Sequence, residues 1–142
     1  MSNVRRARAF VMMAREDMTS SQASSVPSST CFHAQQAVEK YLKAFLVFHD
    51  RHIPKSHDIG ALIDKCSAID ASLSEMRDRG ASLTKFAVGE RYAPSKQNSE
   101  RECSDVWTTT MAIVAAIRRA CLLSCSRARD AAHVWAKDEL RG

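Results

Sequence analysis

The chain is poor in the residues that interrupt helices: 142 residues contain four glycines and three prolines. A composition so short of turn formers, and rich in alanine and long side chains, argues against a sheet-based domain and for an all-α protein. No apolar run approaches the roughly 18–20 residues needed to cross a bilayer. The start, MSNVRRARAF, lacks the apolar centre of a secretion signal. A cytoplasmic protein with no membrane association is therefore expected. Glycine-rich phosphate loops, HExxH, GxSxG and catalytically spaced carboxylate pairs are all missing. Neither metal nor cofactor is expected. Five cysteines stand at 31, 66, 103, 121 and 125, with no CxxC pair. Cys121 and Cys125 lie one helical turn apart, but scattered cysteines read as small apolar residues.

What is present organises itself around Cys31–Asp58. On a wheel of about 100° per residue, ten residues from Cys31, Ala34 and Ala37 to Leu46 and Phe48 fill one arc wider than half the circumference. Such a helix needs neighbours on several sides, so it is expected at the centre of a bundle. Gln35 falls inside the arc and Glu39 at its edge. A buried amide or carboxylate needs partners, so these two support a polar network in the core or face a functional surface.

Around it, a first helix is expected from Val4 to about Ser20. Arg5, Arg6, Arg8 and Arg15 give it a solvated or a phosphate-binding face. A serine-rich connector follows, with Ser28 or Ser29 as cap of the central helix. Ser56 is read as N-cap of a third helix from His57 to about Ile69. That places His57 near the positive end of the helix dipole, which opposes protonation. Ser74–Val88 is a weaker helical segment softened by Gly80, and Gly89–Ser99 an irregular loop. A long helix runs from about Glu100 to about Ser126. Residues 1–126 are taken as the bundle and 127–142 as a tail that continues the helix or frays, with Trp135 docking onto a partner subunit.

The runs FHAQQAVEKYLKAFL, KSHDIGALI and ERYAP resemble the HEPN domain over roughly residues 5–125. The serine-rich connector and the tail depart from it. The resemblance implies an up-and-down antiparallel bundle of four to five helices, often a homodimer. It also implies interaction with RNA or nucleotide, and frequent pairing with a small nucleotidyltransferase, in some branches as the antitoxin to a metal-independent ribonuclease toxin. The arginine–histidine signature of those branches is met by Arg51 and His57, as phosphate binder and as base or acid. Chance and a structural or nucleotide-binding role for His57 stand as the alternative. Arg91 and Tyr92 suit phosphate contact with base stacking, or a loop pinned to the bundle through Glu39. Lys43 and His52 join them as candidate nucleotide or RNA contacts, although Glu39 and Lys43 also have the spacing of a plain ion pair. The other class of function is a non-catalytic binding or scaffold subunit.

Overall fold

The computed structural model describes residues 2–91, 99–124 and 127–135, with backbone alone at 88–91, 99, 123 and 124. Among these residues the chain is all-α. The helices are α1 (Asn3–Ala23), α2 (Pro27–Phe48), α3 (Ile59–Ser67), α4 (Arg77–Ala81), α5 (Ser99–Ser124) and α6 (Ala128–Trp135), with two 3-10 segments, Ala71–Met76 and Thr84–Arg91.

α2 is central, as its wide apolar arc requires. Thirteen of its 22 residues are buried, and α1, α3, α5 and the second 3-10 segment pack against it. α1 returns antiparallel along α2, burying Ala7, Val11, Ala14 and Met18. α5 adds Val106, Ile113, Val114 and Ile117 from the other side. α3 packs Ile59 and Ile63 onto Gly80, where an added Cβ would overlap the Ile63 Cδ1 methyl and press on Ile59 Cγ2 at 3.2 Å. Gly80 is therefore a point of close helix approach inside α4, more than a softening of that segment.

Helix ends differ most from expectation. α1 runs on to Ala23 and α2 starts at Pro27, so most of the serine-rich connector is helical. α2 begins at Pro27 with Val26 before it, and neither Ser28 nor Ser29 caps it. Proline's fixed φ and missing N–H suit the first helical position, and the helix starts there. α3 is capped by Asp58, whose Oδ1 accepts from the Ala61 N–H at 3.1 Å; Ser56 Oγ instead accepts from the Asp58 N–H within the turn. His57 thus precedes the helix, and the dipole argument does not apply to it.

α2 ends in a Schellman turn. The Asp50 N–H bonds to the Val47 carbonyl at 3.0 Å and the Arg51 N–H to the Leu46 carbonyl at 2.8 Å. Asp50 takes the left-handed conformation, φ 59°, where glycine is usual. Its carboxylate accepts from Asn3 Nδ2 at 2.6 Å and lies 3.8 Å from Arg127, which fastens the turn to both ends of the chain. Residues 128–135 fold back as α6 against α1 and α5. Trp135 is buried within its own chain, its ring 6.1 Å from that of Phe48, so this docking is intramolecular. Arg8 Nη1 and Arg118 Nε hold α6 through the carbonyls of His133 and Trp135.

Candidate functional site

Glu39 lies near the middle of α2, and its carboxylate is almost wholly buried, with 6% of the side chain exposed. Burial alone would push its pKa up. The Lys43 and His57 hydrogen bonds outweigh that and hold the carboxyl below its ordinary 4.5. Lys43 Nζ donates to Oε1 at 2.7 Å from one turn on. His57 Nδ1 lies 2.9 Å from Oε2 and 3.1 Å from Oε1. Beneath them, the fully buried Gln35 donates from Nε2 to Glu39 Oε2 at 3.3 Å and to the His57 carbonyl at 3.4 Å. Gln36 Nε2 donates in turn to Gln35 Oε1 at 2.7 Å. Gln35 therefore ties the carboxylate and the backbone of the histidine to one amide.

The result is an asymmetric pair. The His57 side chain is 70% exposed while the carboxylate it rests on is buried. With Nδ1 against Glu39, among the described residues Nε2 has no protein partner and is available to a ligand. A carboxylate on Nδ1 fixes the orientation of the ring, the arrangement that suits an imidazole to proton transfer.

α2 carries a second such pair that the sequence did not reveal. His33 Nδ1 lies 2.9 Å from Asp17 Oδ1 of α1, and Lys40 Nζ donates to Asp17 Oδ2. His33, Gln36, Lys40 and Lys43 are all partly exposed and share one stripe of α2, with α1 on one flank and His57 on the other. No periodicity in one helix announces a partner sixteen residues away on another; the only signal was His33 lying on the polar face.

The expected residues are thus partly assembled. Gln35, Glu39, Lys43 and His57 meet. Arg51 does not join them within one chain: it is exposed just past the end of α2, near His49. Residues 39 and 49 of a helix are about 15 Å apart along its axis. His52 is exposed in the same turn. Arg91 closes the second 3-10 segment, while its side chain and Tyr92 lie outside the described residues. Among the α1 arginines, Arg8 and Arg15 are engaged within the chain.

An all-α bundle whose central helix anchors an exposed histidine through a buried carboxylate is the class of protein the geometry defines. The HEPN domain family model matches residues 2–120, and the chain belongs to that family. Searches of curated proteins and of solved structures each return no significant match. Among the described residues, no helix is long and apolar enough to cross a membrane.

Proposed function

We propose that the protein acts on RNA or nucleotide phosphate through His57, as a metal-independent endoribonuclease. The observation that carries this reading is the exposed imidazole seated on the buried Glu39 carboxylate through Nδ1, with Nε2 on the far side of the ring. Metal-free cleavage of RNA needs a base to take the 2′-hydroxyl proton as that oxygen attacks phosphorus. It needs an acid to protonate the departing 5′-oxygen and a cation for the charge on the phosphorane. His57 serves as base or acid. Arg51 serves as the cation, and its distance along α2 from Glu39 means that a second copy of the chain would have to supply it. The protein is accordingly proposed to work as a homodimer, and as the toxin partner of a nucleotidyltransferase antitoxin.

The second reading is non-catalytic nucleotide binding. It is favoured by one observation: Lys43, a nearby cation, is already committed to Glu39. Purified protein in the presence of a metal chelator separates the two. Cleavage of single-stranded RNA that is lost in both His57→Ala and Arg51→Ala supports the ribonuclease. Nucleotide binding lost in His57→Ala, without cleavage by the wild type, supports the second reading. Neither cleavage nor binding rejects both.

A further inference from the structure

Two cysteines separated by 72 positions meet between α2 and α5. Cys31 Sγ and Cys103 Sγ are 3.3 Å apart. The Cys103 S–H points to the Pro27 carbonyl, with a sulfur–oxygen distance of 3.5 Å, which leaves the Cys31 S–H to donate to the Cys103 sulfur. The two differ in access. Cys31 is fully buried, and Cys103 is partly exposed. Cys103 also lines a cleft of about 530 Å³ together with Thr30, Glu100 and Trp107. Small oxidants can therefore reach one sulfur of the pair and not the other. Nothing in the His57 site uses either thiol.

We propose that Cys103 is an oxidation site for hydroperoxides and that Cys31 resolves it into an intramolecular disulfide. Cys103 sulfur attacks one oxygen of hydrogen peroxide; the O–O bond breaks, a sulfenic acid forms and one water leaves. Cys31 sulfur then attacks the sulfenic sulfur; the S–S bond forms, the S–O bond breaks, and the Cys31 proton leaves with hydroxide as the second water. Two thiols lose two electrons in all and one peroxide gains them. The order of events follows from access: burial, and then the hydrogen bond with Cys103, push the Cys31 thiol up to about 12, so it is a poor first nucleophile. It attacks only because the sulfenic sulfur is held against it. The sulfurs must close by roughly 1.3 Å to reach the bond length of about 2.05 Å, a small side-chain movement.

The test uses the full-length folded protein and dilute hydrogen peroxide. The expected product has lost about 2 Da, and titratable thiols fall from five to three. Peptide mapping places the bond between Cys31 and Cys103. The oxidised form melts up to about 10 °C higher, because the bond closes a long loop of the unfolded chain. Cys31→Ala leaves a Cys103 sulfenic acid that a dimedone probe traps, and Cys103→Ala leaves Cys31 unreacted. Retention of all five thiols in the folded wild type would overturn the proposal, as would a disulfide between other cysteines or undiminished thiol loss in Cys103→Ala. Should Cys31→Ala fail to fold, the wild-type peptide map alone decides.

Discussion

His49 and His57 lie on opposite sides of the turn that ends α2, and their surroundings are opposed. His57 is exposed and faces a carboxylate. His49 is half-buried, its ring centroid 4.5 Å from that of Phe45 and 5.1 Å from that of Phe48. Burial, then the charges of Arg127 and Arg51, push its pKa down. His57 stands in solvent beside a carboxylate, whereas the surroundings of His49 oppose the imidazolium. A histidine that exchanges protons with a bound ligand needs the first kind of surroundings together with access to solvent. The second kind keeps a neutral ring as part of the core. Histidine count alone does not locate a site; the sign of the neighbouring charge does.

That contrast can be broken at several points. The largest effect is expected from Trp135→Ala, which empties the aromatic cluster beside His49. It should cost about 3–5 kcal/mol by urea unfolding and leave ligand binding at His57 intact; a loss below about 1 kcal/mol would show that α6 does not hold that end. Glu39→Gln keeps the shape and removes the charge, so about 1–2 kcal/mol is expected at pH 7. Because the folded carboxyl sits below 4.5, its stabilisation is present above that pH and is lost as pH falls through the folded value. The gap between wild type and Glu39→Gln should therefore close on acidification, and a gap constant with pH would contradict the ion-pair description.

His49 acts with the same sign for a different reason, since its surroundings oppose the charged form. Its folded pKa is below the ordinary 6.5, so the unfolded chain binds the proton more readily. Wild-type stability should fall as pH drops from 6.5 through the folded value. His49→Gln should flatten that limb, a smaller effect measured by denaturation at several pH values. His57→Ala should cost about 1 kcal/mol, because the ring is mostly exposed and Lys43 stays on the buried carboxylate that loses it. Loss of RNA or nucleotide binding with so small a stability change would complete the separation between the two histidines.

Much of the frame was legible in the chain. The apolar arc of α2 repeats with helical period, and every one of its residues is buried. Gln35 and Glu39 stood out because polar groups on such an arc require partners. Their actual partners were not legible: His57 is eighteen residues from Glu39, and only the course of the turn sets the pairing. Caps are ambiguous where two candidates compete. Ser56 and Asp58 can each cap a helix from two positions apart, and Asp58 prevailed because its carboxylate reaches the free Ala61 N–H while Thr84 Oγ1 takes the Ile59 N–H. The Cys31–Cys103 contact leaves no trace in spacing, since it depends on how α5 lies across α2.

The left-handed Asp50 at the end of α2 turns the following segment into a measuring tape. From that residue the chain runs back along the helix it has just left, and His57 must arrive level with Glu39. Seven residues, 51–57, can span at most about 25 Å, against the roughly 15 Å between the levels of residues 39 and 49. The slack is about 10 Å, and the segment bends at Lys55. Removing one residue between Arg51 and Ser56 would leave both helices and their core intact. Six residues would still reach, at most about 22 Å, but with less slack, so the length of this segment, as much as its composition, sets how the histidine meets its carboxylate.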